Sequence, residues 1–78
     1  MNYATGEIVK LGDKVRLGQD SGGVVVFIID SDEYSPDYPK AYWGGYLTKG
    51  AMIHFPSYGL IHYEEMETDL QLIARAEE

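Results

Sequence analysis

Two groups of residues in this chain have the types and spacing to do chemistry. The first is the histidine pair, His54 and His62, with Glu64 two positions further along. On a hairpin that sets the two imidazoles opposite each other, this trio resembles part of a zinc site, because histidine nitrogen and carboxylate oxygen are ordinary zinc ligands, although no bound metal is expected. The same residues on a solvent face, without metal, make a pH-sensitive cross-strand pair with no further role. The second group is the stretch EYSPDYPKAYWGGYL, Glu33 to Leu47, which holds Tyr34, Tyr38, Tyr42, Tyr46 and the one tryptophan, Trp43. Tyrosine and tryptophan bring large contact area with few rotatable bonds and a polar tip, so they dominate interface hot spots. Asp32, Glu33 and Asp37 border these rings, and acids beside aromatic faces suit a Lys or Arg side chain by charge and by cation–π attraction. The competing use of the rings is structural: they plug an open end of a small core, with Trp43 turned inward.

Catalytic signatures are missing. The chain has no G-x-x-x-x-G-K-[ST] phosphate loop, no H-E-x-x-H and no G-x-S-x-G elbow. Gly18, Gly22 and Gly23 lie in a glycine-rich turn, but not between a strand and a helix, where backbone amides would be aimed at a phosphate. The pair Asp30 and Asp32 has the chemistry of an acid and a base with no pocket tied to it. The expectation is a non-enzyme that carries no cofactor.

The elements that must hold these residues read as strands. Helical periodicity is nowhere sustained, whereas short β-rich runs separated by Gly, Pro, Asp and Ser recur. Lys14 to Leu17 alternates polar with apolar, as a half-buried strand does, and GQDSGG, Gly18 to Gly23, reads as a tight turn. Val24 to Ile29, VVVFII, is an unbroken β-branched and aromatic run too short for a buried helix, and reads as the central strand. AMIHF, Ala51 to Phe55, and LIHY, Leu60 to Tyr63, flank Pro56-Ser57-Tyr58-Gly59, and LQLIA, Leu70 to Ala74, supplies the last strand. The strands are expected at about 13–17, 22–30, 50–56, 60–65 and 70–75, with a single helical turn near 39–43 opened by Pro39. That turn would gather Tyr38, Tyr42 and Tyr46 on one side. Five strands in so short a chain point to a barrel, since closure removes exposed edges.

The hairpin around residues 56–59 is expected to have a three-residue loop, with Gly59 left-handed after a type I turn and Pro56 facing Leu60. Ile53, Phe55, Ile61 and Tyr63 then share the core face. Met52, His54, Leu60, His62 and Glu64 share the other, with His54 directly opposite His62.

With 78 residues there is room for one domain, and the absence of cysteine leaves its core without covalent staples. An apolar content of 45% with 24% charged residues is that of an ordinary globular chain rather than a disordered or membrane-embedded one. MNYATGEIVKLGDK has no basic segment followed by an apolar one, so a cytoplasmic address without membrane contact is the default expectation. The net charge of −7 is concentrated in two places, around Asp30, Asp32, Glu33 and Asp37 and around Glu64, Glu65, Glu67 and Asp69. Such a surface repels phosphate backbones and steers basic partners.

GDKVRL, Gly12 to Leu17, followed by GGVVVFIID, Gly22 to Asp30, resembles the opening of SH3-like barrels of the KOW and Tudor type. In those, a GDxV strand leads through a short glycine turn to a GxV strand ending near ID. The hairpin at 51–63, the polar turn at 64–69 and the closing DLQLI continue the likeness from Gly12 to Ile73. The resemblance implies a mainly β, single small five-stranded SH3-like barrel with one long loop and a 3₁₀ turn before the last strand. It also implies binding of RNA, methylated or proline-rich peptides, or proteins, and a fold of this kind does not choose among them. KOW domains that touch RNA are usually basic, and this chain has 13 acids against 6 bases. The leading expectation is therefore a non-catalytic module that binds a basic protein or peptide through Tyr34, Tyr38, Tyr42, Trp43 and Tyr46 and their acidic border. The alternative is an acidic inhibitor of the immunity or antitoxin kind that blocks a basic, nuclease-like toxin, and the third is a KOW-like RNA-binding or ribosome-associated protein.

Overall fold

A computed structural model describes residues 1–43 and 47–76, apart from the side chains of Tyr42 and Trp43. Within them, six strands and one short helix follow in the order β1 (Lys14–Leu17), β2 (Asp20–Ile28), β3 (Glu33–Tyr34), α1 (Lys40–Trp43), β4 (Ala51–Phe55), β5 (Gly59–Tyr63) and β6 (Leu70–Ala74). The strands form one antiparallel sheet with the path β5-β4-β2-β1-β6, and β3 adds to β2. The protein is thus mainly β, as expected. The path is open: no ladder joins β5 to β6 among the described residues.

The first hairpin is tighter than GQDSGG suggested. Leu17 pairs with Asp20, so only Gly18 and Gln19 form the turn, and Gly18 has φ 61°. A positive φ at the first central residue is what a two-residue II′ turn requires. β2 therefore begins two residues before Gly22. Asp20 fixes this end of the strand, its carboxylate accepting the Gly22 N–H at 2.9 Å and the Ser57 N–H at 2.8 Å. Those two backbone donors hold the Asp20 carboxyl below its ordinary pKa of 3.8. Within this hairpin Gly23 is packed most closely, because a Cβ there would lie 2.5 Å from the Phe55 ring and 2.8 Å from Val15.

β2 explains why VVVFII is apolar throughout. Against β4, Val25 pairs with Ile53 and Phe27 with Met52, so Val26 is an extra residue, a β-bulge. The bulge reverses the inward and outward alternation along the strand. Val25 and Ile28 consequently point into one core with Val15, Ile53, Phe55, Tyr63 and Leu70. Val26 and Phe27 point into a second core with Met52, on the opposite face of the sheet.

The β4–β5 hairpin keeps the expected faces with a shifted register. Phe55 pairs with Gly59 and Ile53 with Ile61, which places Pro56, Ser57 and Tyr58 in the turn, and Gly59 has φ 77°. A two-residue shift preserves parity, so Ile53, Phe55 and Tyr63 are buried as expected. Individual partners change: His54 faces Leu60 and His62 faces Met52. Before β6, a single turn in which Leu70 N–H donates to Glu67 C=O at 3.2 Å stands where a 3₁₀ turn was expected.

Residues 1–12, to which no element was assigned from the sequence, form part of the core with Asp13. They fold back on themselves through Tyr3 N–H to Glu7 C=O and Val9 N–H to Met1 C=O, both 2.9 Å, and bury Tyr3 and Val9. Asp13, fully buried, joins this arm to the rest. Its Oδ2 accepts from Tyr3 Oη at 2.7 Å, from Arg75 Nη1 at 2.8 Å and from the Lys10 N–H at 2.9 Å. Arg75 Nη1 also donates to Ile8 C=O at 2.7 Å. Burial, and then the Asp13 carboxylate as acceptor, push the Tyr3 phenol well above its ordinary pKa of 10.0.

Candidate functional site

The long passage between β2 and β4 is an excursion closed at its base. Ile29 N–H donates to Gly50 C=O and Gly50 N–H donates to Asp30 Oδ1, both at 2.8 Å. Gly50 has φ 96°, and a Cβ there would stand 2.0 Å from Tyr63 O, so the closure tolerates glycine alone. Beside it, His62 Nε2–H donates to Lys49 C=O at 2.8 Å, and Lys49 Nζ lies 3.5 Å from Glu64.

From that base the chain turns back onto the sheet. Asp32 N–H donates to Ile29 C=O at 3.1 Å, and Asp32 adopts φ 57°, a left-handed conformation that aspartate tolerates better than most residues. Glu33 and Tyr34 then pair with Ile28 and Phe27 as β3. Phe27 pairs with Met52 on its other side, so β3 lies along the edge of β2 that β1 covers further back. Ser35 N–H donates to Val26 C=O, and Tyr38 N–H donates to Ser35 C=O at 2.9 Å. That is a β-turn with Pro36 at the position proline prefers.

This path lays Tyr34, Tyr38 and Leu47 over Val26, Phe27 and Met52. The Tyr34 ring stacks on Phe27 with centroids 5.3 Å apart and planes 21° apart. Both tyrosines are half-buried, so each serves as cover for the second core while keeping part of its surface outside. One face of the Tyr34 ring is turned to Phe27, its cross-strand neighbour. The helical turn expected near 39–43 is present as α1, immediately after Pro39. The Tyr42 and Trp43 side chains and all of Tyr46 lie outside the described residues, so the inward Trp43 plug and the clustering of Tyr38, Tyr42 and Tyr46 concern residues beyond that description.

The acidic border is exposed: Asp32, Glu33 and Asp37 all face solvent. Asp32 Oδ1 holds Lys40 Nζ at 2.8 Å, with about three-fifths of each side chain accessible (61% and 63%). The Asp32 carboxylate raises the Lys40 pKa, by hydrogen bond and by charge, and Tyr34 adds to the effect. The second acidic cluster approaches the first around Asp30, Lys49, Glu64 and Glu65, which share one open depression with Met1, Asn2 and Met66.

The histidine trio does not assemble as expected. His54 stands exposed opposite Leu60, while His62 is half-buried opposite Met52 with Nε2 engaged by the Lys49 carbonyl. Glu64 is turned to Lys49. Among the described residues, no three or more His, Cys, Asp or Glu side chains are grouped to hold a metal ion.

The features that sequence reading missed are Lys40 as the partner of Asp32, Asp30 as the clamp on Gly50, and the knot at Asp13. An aspartate after glycine, GD at 12–13, was the one available signal for the last. No family model, no curated protein and no solved structure matches the chain. No helix among the described residues is long and apolar enough to cross a membrane.

Proposed function

We propose that this protein is a non-catalytic binding module that recognises a basic protein or peptide through the excursion at residues 33–47. The observation that carries this reading is the clamped loop, whose Tyr34 and Tyr38 are seated on a second core while Asp32, Glu33 and Asp37 stay in solvent. Loops held by a rigid scaffold are where binding residues concentrate. Half-buried tyrosines also lose little entropy on meeting a partner. The finer fold reading, an SH3-like barrel of the KOW or Tudor type, belongs to the same proposal. It is supported by the strand order and by bulges in β2 and β6 that increase local twist.

The test is an NMR titration of the protein with an arginine- and lysine-rich peptide. Amide shifts are expected to cluster at residues 30–47 and to vanish in the triple variant Asp32→Asn, Glu33→Gln, Asp37→Asn. Shifts centred elsewhere, or unchanged by that variant, would overturn the proposal. The inhibitor reading has one observation in its favour, the meeting of the two acidic clusters around Asp30, Glu64 and Glu65. It calls for shifts that spread across residues 64–67 as well, and for affinity that falls steeply with salt.

A further inference from the structure

Among the described residues, β3, β5 and β6 each leave one edge of the open sheet unpaired, and they differ in how that edge is guarded. A bare edge offers N–H and C=O groups to another chain, so monomeric proteins shorten, kink, charge or cover it. β3 is two residues long. β6 is kinked by a bulge: Val15 pairs with Leu72 and Lys14 with Ala74, which leaves Ile73 as the extra residue. The arm also stands beside β6, where Ala4, Thr5 and Glu7 share a groove with Leu70, Gln71 and Leu72. β5 has none of these devices. Its sequence, GLIHY, contains no Lys, Arg, Asp, Glu or Pro, and its pairing to β4 runs from Gly59 to Tyr63 without a shift of register. Tyr58 and Leu60, beside and on this strand, are exposed apolar residues (53% and 40%). We propose that β5 pairs antiparallel with β5 of a second copy of this chain, about a two-fold axis at Ile61.

Charge favours this occupant and this direction. Each chain carries −7, so two copies can meet closely only where acids are absent, as they are from β5. In the two-fold register Ile61 faces its own mate and Leu60 faces His62. Glu64, where the acidic run begins, then lies against Tyr58 of the other copy. The two Glu64 residues stand about 20 Å apart along the strands, well beyond the screening length of about 8 Å at physiological salt. Parallel pairing would set Glu64 against Glu64. Pairing of β5 onto β6 of the next copy would propagate as an open filament, and the bulge and the arm at β6 oppose it.

The experiment compares the self-association of the wild type, Leu60→Lys and Ile73→Lys by sedimentation over a range of concentrations. Ile73, on β6, is exposed like Leu60, so both substitutions spare the core and change the net charge equally. The wild type is expected to dimerise as concentration rises. In a half-labelled sample, isotope-filtered NOEs should join Leu60 of one copy to His62 of the other. Leu60→Lys is expected to weaken the dimer about fivefold or more, through two lost leucine contacts and two like charges diagonal across the seam. Ile73→Lys is expected to leave it unchanged. A wild type that stays monomeric up to about 1 mM would overturn the proposal. So would a dimer that Leu60→Lys leaves intact, one that Ile73→Lys weakens equally, or intermolecular NOEs that join other surfaces.

Discussion

Replacing Asp13 tests whether the arm of residues 1–13 is held by chemistry or merely by contact. Asp13→Ala removes the acceptor of three donors at once: the Tyr3 hydroxyl, the Lys10 amide and the Arg75 guanidinium. Tyr3 is buried and would keep an unsatisfied hydroxyl, a cost of about 1–3 kcal/mol. Arg75 is 27% exposed and retains Ile8 C=O, so it recovers part of its loss from water. With the void left by the carboxylate, the expected total is about 3–5 kcal/mol, the range for breaking a buried charge pair. A domain of this length has about 4–12 kcal/mol of stability in all, so Asp13→Ala should remove at least about a quarter of it, read as a large fall in the urea midpoint at neutral pH. Tyr3→Phe, which removes one hydrogen bond and leaves the ring in place, should cost only about 1 kcal/mol. It carries a second signature in pH. Because burial and Asp13 raise the folded Tyr3 pKa above 10.0, the stability linked to that phenol is complete below about pH 10 and declines as pH rises further. Tyr63, also raised by burial and by Glu67 and Asp69, declines in the same direction, so Tyr3→Phe should flatten the alkaline loss without abolishing it. A loss below about 1 kcal/mol for Asp13→Ala, together with an unchanged alkaline limb in Tyr3→Phe, would refute the reasoning.

Other consequences follow from the same contacts. Gly50→Ala combines a left-handed backbone with a Cβ driven against Tyr63 O, so its melting temperature should fall far more than that of Gly59→Ala. There φ is also positive but nothing crowds the Cβ, and about 1 kcal/mol is expected. Ser35 Oγ is buried with no hydrogen-bond partner among the described residues, so Ser35→Ala should be neutral or stabilising by up to about 1 kcal/mol in denaturant titrations. The Asp20 carboxyl is held low by two backbone donors. Its contribution is therefore present above about pH 4 and lost as pH falls through the folded value, and Asp20→Asn should shrink the acid-induced drop in melting temperature.

The strands were legible because their signals are local. Alternation in KVRL and the turn residues at 56–59 mark elements without reference to the rest of the chain. Faces were legible too, since a two-residue error in the hairpin leaves Ile53, Phe55 and Tyr63 inward. What could not be read depends on partners distant in sequence. The opposition of His54 to His62 hung on the register of one turn, and a shift of two residues dissolved it. The bulge at Val26 leaves no mark within VVVFII, because both faces of that strand end up covered and every residue is apolar either way. The loop rings looked like binding surface or plug, and Tyr34 and Tyr38 are half-buried, each covering the core with part of its surface left outside, a division set by Phe27 and Met52 beneath them.

The strand order has a consequence for how the chain could be divided. β1 and β2 come from the first half of the sequence, yet they lie between β4 and β6 from the second half. Every ladder of the large core except the hairpins β1–β2 and β4–β5 joins one half to the other. Two fragments separated within residues 36–47 would each lack a closed core alone. Mixed, they would recover β2–β4 and β1–β6 pairing together, with Asp13 meeting Arg75 across the cut. The fold is thereby suited to reconstitution from two pieces, in which the appearance of structure reports that the pieces have met.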